Sequence, residues 1–427
     1  MSELAYQKAI IYKYKVASLV LMVGKEKLIL DSSNILLVSY TANYEVNIRA
    51  ILRVRLRVDI RKKIWILKNK ENLRATFDLS KIGMDIEMES TNTMDEPVWN
   101  CEFGVYLSDD DSNVDISLME NALIKNEDDE NAPNIIDDEN LFDAQNVLDI
   151  YLFNQDLINA SNKLINEVYT NTTLQRGVAR ILTATNHKKV LMSPVENNNV
   201  YNELIIPAMP AWKALMYIDQ YYGLYKTGAT IFYDIDTLYI INTNGKLTAK
   251  RDGEWTQTTF LITPLEKSTP GNGMIHKEGE KTNYVSITEL DINPQKTSDL
   301  SNAEIGSEVK IVTSDDTQID SVSGSYNSIN TANQFVVYKR KEDNPFTGSI
   351  IKARMTENEC ILYINANNLD ITAFSPNKTY QVIFEEPTKQ KKYGNFKYRI
   401  ASANHVIKIE SELMISTHQI ILKKCGN

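Results

Sequence analysis

Four histidines, three cysteines and one dense run of carboxylates are the residues of this 427-residue sequence whose types could do chemistry. His187, His276, His405 and His418 stand apart from one another. None occurs as His-x-x-x-His or His-Glu-x-x-His, the spacing that sets two imidazoles on one helix face around zinc. His405 and His418 fall on neighbouring expected strands and can approach across a hairpin, where a satisfied or solvent-facing imidazole is a commoner outcome than a ligand. Cys101, Cys360 and Cys425 are distant, odd in number and without Cys-x-x-Cys spacing. They indicate neither a disulfide framework nor a zinc ribbon, and read as buried or incidental thiols. The sequence holds no Gly-x-Ser-x-Gly elbow, no P-loop and no Gly-x-Gly-x-x-Gly element.

The carboxylates offer one metal-like spacing. Asp109, Asp111, Asn113, Asp115 and Glu120 occupy the ligand positions of an EF-hand-type loop, whose oxygen donors suit calcium. The sharp turn at the sixth position needs glycine, but Val114 stands there, and the preceding Val98–Leu107 reads as strand rather than helix. The match is what an Asp-rich run yields by chance. A mobile, highly charged run is also a poor frame for two carboxylates held at the fixed separation glycoside hydrolysis requires. No catalytic, cofactor-binding or metal residue is therefore assigned, no cofactor is expected, and the chain does not read as an enzyme.

Charge is unevenly distributed. The formal net charge is −10, yet Asp109 to Asp143 alone holds 13 acidic residues against the single Lys125. The acidity belongs to that segment, and the remainder is close to neutral. A second charged pattern lies in Leu52–Arg61, where apolar and other residues alternate strictly. Leu52, Val54, Leu56, Val58 and Ile60 share one face, and Arg53, Arg55, Arg57 and Arg61 share the other. Those four arginines are the candidate interface. They meet an intramolecular or intersubunit acidic partner ahead of nucleic acid, or else form a solvated face with weak salt bridges.

The elements that must position these residues follow from the pattern around them. Length allows roughly two to four domains. No stretch approaches the ~20 apolar residues that cross a bilayer, and the first residues lack a basic region before an apolar run. Residues 1–106 read as β-rich, with further strands at Ile64–Leu67 and Arg74–Leu79, and suggest an antiparallel barrel or sandwich. Residues 107–145 read as an acidic insertion or long loop.

Residues 146–245 read as α+β. A strand over Val147–Phe153 precedes a helix capped by Asn171-Thr172, with Leu174, Val178, Ile181 and Leu182 on one face. A second helix opens after Pro210, with Trp212, Leu215 and Met216 on one face and Gly223 at its end. A hairpin follows, Ala229–Tyr233 and Thr237–Ile241, turning at Asp234-Ile235-Asp236. From 246 to 427 strands return, at Ile361–Ile364, Tyr380–Phe384, Phe396–Ile400, His405–Ile409 and His418–Leu422. Loops at Ser268–Gly273 and Ser321–Ser325 interrupt this region. The expected fold class is mainly β with an α+β middle.

The middle segment carries a resemblance. Leu174-Gln175-Arg176-Gly177-Val178-Ala179-Arg180-Ile181-Leu182, then Ile205-Ile206-Pro207-Ala208-Met209-Pro210-Ala211-Trp212-Lys213-Ala214-Leu215, then Asp219-Gln220-Tyr221-Tyr222-Gly223-Leu224-Tyr225 resembles the baseplate hub proteins of contractile-tailed phages. It is also similar to the N-terminal half of type VI secretion spike proteins. Tyr398–Ile407 and Gln419–Leu422 look like the closing strands of the hub's second barrel. The likeness covers about 145–245 and, more loosely, 380–425.

The resemblance implies a homotrimer in which each protomer carries two tube-like β-barrels, so that six surround a channel. That pseudo-sixfold adaptor would join the hexameric tail tube to the trimeric central spike. Phage DNA would pass through its lumen without sequence recognition, and no part would insert into a membrane. The location implied is the tail baseplate of the virion, after assembly in the host cytoplasm. The alternatives are another tail protein, a tube initiator or completion protein, and a host glycan-binding adhesin using the 22 tyrosines, most of which read as core.

Overall fold

In the computed structural model, alternation and turn residues divide the first hundred residues into paired strands. The structure describes residues 10–85, 96–108, 147–244, 257–262, 273–276, 282–287, 290–293, 308–313, 319–322, 334–339, 344–357, 360–409 and 414–425. The acidic segment from Asp109, its calcium-like spacing and most of the two expected turn loops lie outside the described residues.

Strand β1 (Ile10–Val23) turns at Gly24 (φ +59°) into β2 (Glu26–Leu30). Then come β3 (Ile35–Asn43), β4 (Ile51–Arg57), helix α1 (Ile60–Lys68), β5 (Arg74–Asp85), β6 (Glu96–Leu107) and β7 (Val147–Asn154). The alternation through β4 buries Leu52, Val54, Leu56 and Val58 as expected. It does not continue through Ile60 and Arg61. The Asp59 carboxylate accepts from the Lys62 N–H at 2.9 Å and caps α1, so Arg61 is helical, and Ile64–Leu67 is helix where strand was expected. Short apolar runs do not separate the two states by themselves; the cap does.

The middle carries α2 (Gln155–Asn162), β8 (Leu164–Thr173), α3 (Leu174–Ala184), β9 (Val190–Met192), β10 (Val200–Pro210), α4 (Ala211–Tyr222), β11 (Ala229–Tyr233) and β12 (Leu238–Asn242). Thr173, one residue past the expected cap, accepts from the Arg176 N–H and opens α3. Leu174, Val178 and Ile181 are buried, and Leu182 is partly so. Helix α4 starts after Pro210 and ends at Gly223, whose φ of +71° suits glycine. Its buried face is Ala211, Ala214, Leu215 and Ile218, whereas Met216 is exposed. The expected hairpin forms, with its second strand one residue later than expected and Ala229 opposite Asn242.

The last part contributes β13 (Gln257–Ile262), β14 (Gly273–His276), β15 (Thr282–Ile287), β16 (Leu290–Asn293), β17 (Glu308–Thr313), β18 (Ile319–Val322) and β19 (Gln334–Lys339). After helix α5 (Thr347–Glu357) come β20 (Ile361–Asn367), β21 (Thr379–Phe384), helix α6 (Pro387–Tyr393), β22 (Lys397–Ile409) and β23 (Met414–Lys424). Strand β22 merges the two strands expected at 396–400 and 405–409. A bulge between Ile400 and Ser402 carries the ladder across the gap.

The fold class is mainly β. The large sheet runs β14-β15-β13-β21-β22-β3-β4-β7-β6-β5-β1-β23-β20-β16. Added pairings between β22 and β23 and between β1 and β14 bring this path back on itself twice. One circuit is β3-β4-β7-β6-β5-β1-β23-β22, and the other is β21-β13-β15-β14-β1-β23-β22. Buried side chains from both ends of the chain share one core, including Tyr14, Phe77, Phe103, Tyr380 and Leu422. Helices α2 to α4 close a second core with the β8–β10 ribbon and the β11–β12 hairpin.

Candidate assembly interface

The arginine ladder of β4 faces its antiparallel neighbour β7, where Asp149 stands directly opposite Arg55. The Asp149 carboxylate accepts two hydrogen bonds from Arg55, Nε to Oδ1 and Nη2 to Oδ2, both at 3.0 Å, and a third from Arg53 Nη2. This bidentate fork is the arrangement guanidinium favours. Burial alone would raise the Asp149 pKa, but the hydrogen bonds from Arg55 and Arg53 outweigh it and hold the carboxyl below its usual range. Arg53 and Arg55 are thus bound within the chain. Arg57 remains exposed on β4 and Arg61 is exposed on α1, so the four do not form one strand face. Asp149 was missed because its partner lies 94 residues away; its place on a strand of period two was the available signal.

A second ionic cluster joins elements from across the chain. Arg399 on β22 donates through Nη2 to both Glu45 and Glu357. Lys423 on β23 reaches Glu45 at 2.7 Å, Arg354 reaches Glu357 at 3.3 Å, and Asn244 donates to Glu357 at 2.6 Å. Burial lowers the affinity of Arg399 for its proton, but the charges of Glu357 and Glu45 reverse this, and its pKa is raised. Burial likewise works to raise the Glu45 pKa, while the bonds from Lys423 and Arg399 bring it below the usual value. The cluster ties the loop after β3 and helix α5 to the paired strands β22 and β23.

The two C-terminal histidines do meet. His405 and His418 are paired in register on β22 and β23, and their Nδ1 atoms lie 2.7 Å apart in the core. The backbone N–H of Leu369 donates to His418 Nε2 at 3.1 Å, and Ser416 Oγ sits 2.8 Å from that same nitrogen. With Nε2 accepting, the His418 proton is on Nδ1 and is donated to His405 Nδ1. Tyr40 stacks on His405 from β3 at 5.5 Å between ring centroids. Burial pushes the His405 imidazole down to about 3, with the Asp370 charge opposing it. Burial, and then the proximity of His405, keep His418 well below its ordinary value. Asp370 is itself paired with Lys81, at 2.6 Å. The pair is a structural link between strands.

The other singled-out residues are apart from it. His187 bonds to Thr185 and, through Nε2, to Tyr233 Oη at 3.0 Å. His276 ends β14 opposite Asn283. All three cysteines are free, and Cys360 Sγ lies 3.7 Å from Tyr398 Oη. The hairpin turn residue Asp234 accepts from Tyr40 Oη at 2.8 Å, and burial pushes its carboxyl up to about 6. Among the described residues no group of three or more His, Cys, Asp or Glu side chains is placed to hold a metal ion. Ionic and aromatic ties between distant strands recur across the described residues.

A family model described as Bacteriophage PBS1 gene 109 protein matches residues 7–425. The chain belongs to that family. No curated protein matches it by sequence. Among solved structures, this phage-family chain is similar to the tail protein from Neisseria meningitidis MC58. That match covers 98% of this chain and 97% of that one, with a TM-score of 0.51 and 9% identity, and at this identity it is the fold that is shared. The E. coli c3393 protein is a component of the type VI secretion system, described as structurally similar to T4 bacteriophage tail proteins gp27 and gp5. It matches over 96% of this chain and 76% of its own, at a TM-score of 0.38 and 8% identity. In the Francisella PdpA-VgrG complex the match covers 98% of this chain but 53% of that one, at a TM-score of 0.43 and 8% identity. The chain is thus a member of a phage protein family and shares its fold with a tail protein, in keeping with the resemblance carried by its middle segment.

Proposed function

We propose that this family member is the structural hub of a tail baseplate, a homotrimeric, pseudo-sixfold adaptor between a hexameric tail tube and a trimeric central spike. The observation that carries the reading is the double circuit of strand pairings, which gives one chain two ring-like sets of strands sharing β1, β22 and β23. Three such chains offer six sets around one axis, the match a trimer needs to meet a sixfold partner. In this reading residues 1–106 build most of the first tube-like barrel, 146–245 the α+β domain and 246–427 most of the second, with the acidic segment 107–145 as an insertion. The ring encloses a channel through which DNA passes without being read. Its place is the baseplate of a virion put together in the host cytoplasm.

The mechanism is geometric. Pairing within each circuit satisfies strand edges that would otherwise template aggregation. The Arg399 and Asp149 clusters fix the positions of strands drawn from distant parts of the chain. The exposed Arg57 and Arg61 can meet an acidic surface of a neighbour. The function is symmetry adaptation, without bond chemistry.

The test is reconstitution with the tube and spike proteins of the same phage. The reading expects the chain to bind both and Arg57→Glu with Arg61→Glu to weaken one attachment while leaving the fold intact. A chain that binds neither protein contradicts the hub; full attachment by the double variant removes the arginines from the interface.

A further inference from the structure

Strands β8 and β10 form a two-stranded ribbon, and such a ribbon has two edges to protect. They are not equivalent. On β10 the Ile205 N–H donates to Tyr222 Oη at 3.2 Å, the same hydroxyl lies 3.4 Å from the Ile205 carbonyl, and Pro207 carries no N–H. That edge is blocked by the chain itself. Because the Ile205 amide groups point away from β8, the pair it forms with Val168 is a non-hydrogen-bonded pair of the ladder. Alternation then aims the backbone groups of Val168 and Thr170 outward from β8. Among the described residues neither has a backbone partner outside the ladder.

The surroundings of that edge are equally open. Val168 is 58% exposed and Leu164 68%, and on the same face Thr170 and its ladder partner Glu203 are exposed. The opposite face of the ribbon, with Ile165, Tyr169, Leu204 and Ile206, is sealed against α3 and α4. An unblocked edge backed by a rigid core, apolar in part and acidic in part on its open face, fits an extended strand that presents an apolar and a basic residue on one face.

We infer that the free edge of β8 is a strand-addition site for a neighbouring copy of this chain, which supplies its β2. Strand β2 pairs with β1 alone among the described strands. It carries exposed Lys27, with Lys25 just before it, and an Ile29 that is 67% exposed. With Ile29 set beside Val168, Lys27 two residues away falls on the same face beside Thr170, whose ladder partner is the exposed Glu203, so the two edges are complementary in charge and in burial. A contact between two different surfaces of identical chains is heterologous, and repeated it closes into a ring when its rotation matches the symmetry. The inference rests on the trimeric reading above and names one contact within it.

The test uses the full chain in two arms. In the first, Thr170→Cys and Ile29→Cys are introduced singly and together into a background with Cys101→Ser and Cys425→Ser, and a short bismaleimide is added. Covalent dimers and trimers are expected only with both cysteines present. In the second, Val168→Pro removes an outward N–H that the β8–β10 ladder does not use, and native mass is measured after circular dichroism confirms the fold. A loss of trimer is expected. A wild-type trimer with no cross-link between these positions overturns the β2–β8 contact and leaves the hub reading standing. A trimer weakened by Val168→Pro but not cross-linked assigns the edge to a different strand and overturns the choice of β2. A chain that stays monomeric alone and with its tail partners overturns both readings.

Discussion

Acid should loosen the seam between β22 and β23, because His405 and His418 are held neutral there. Both imidazoles have folded-state pKa values below the ordinary 6.5, His405 at about 3. Above about pH 6.5 they are neutral in both states and their contribution is flat. As pH falls below 6.5 the unfolded chain takes up protons that the folded chain refuses, so stability is lost progressively until the folded-state pKa is reached. The slope is about 1.4 kcal/mol per pH unit for each such group. Asp234 works in the opposite sense: its raised pKa, about 6, makes the folded state gain stability as pH falls through that value. A variant isolates the pair from these other groups. His405→Asn retains an acceptor for the His418 Nδ1–H but cannot be protonated. Urea unfolding of both proteins between pH 7 and 4 should give curves that diverge below pH 6.5, wild type losing about 1.4 kcal/mol more per unit. Parallel curves would show that the buried pair titrates normally and would refute the reasoning.

The ionic clusters lead to further expectations. Arg399→Met leaves Glu357, 1% exposed, without its main cation and should cost about 3–5 kcal/mol in chemical denaturation; Lys189→Met, which removes an exposed pair with Asp236, should cost under about 1 kcal/mol. Equal losses would contradict the role given to burial. Asp149→Ala strips the acceptor from Arg53 and Arg55, both about a third exposed or more, and should cost about 1–2 kcal/mol. The loss should shrink in high salt, and a loss insensitive to salt would point to packing instead. At Gly223, whose φ is +71°, an added Cβ would sit 2.0 Å from Asn344 Oδ1. Gly223→Ala should therefore destabilise by more than about 1 kcal/mol, and an unchanged unfolding midpoint would show that the turn after α4 relaxes freely.

The α+β middle was the most legible part of the sequence because its signals are local. Proline and glycine bound α4, two short apolar runs around Asp234-Ile235-Asp236 mark the β11–β12 hairpin, and four apolar positions mark α3. The misreadings are also local in origin. Ile60–Leu67 satisfies both a strand and a helix pattern, and only the Asp59 cap separates them. Met216 lies one position past the buried stripe of α4, close enough for an apolar count to include it. Long-range facts were not legible. Arg399 finds Glu45 354 residues away and Lys81 finds Asp370 289 away. No spacing rule carries across such distances; the ring of β-pairings brings those residues together, and pattern alone does not set strand order. The His405–His418 approach was foreseeable because the two strands are consecutive and antiparallel neighbours are the commonest sheet contact.

Electron cryo-microscopy of the intact tail tests the central claim most directly. The account predicts three copies of this chain around the tail axis, between tube and spike, with the two strand circuits of each alternating to form six similar units about an open channel. Six copies at that level, or a single circuit per chain facing the channel, would contradict it.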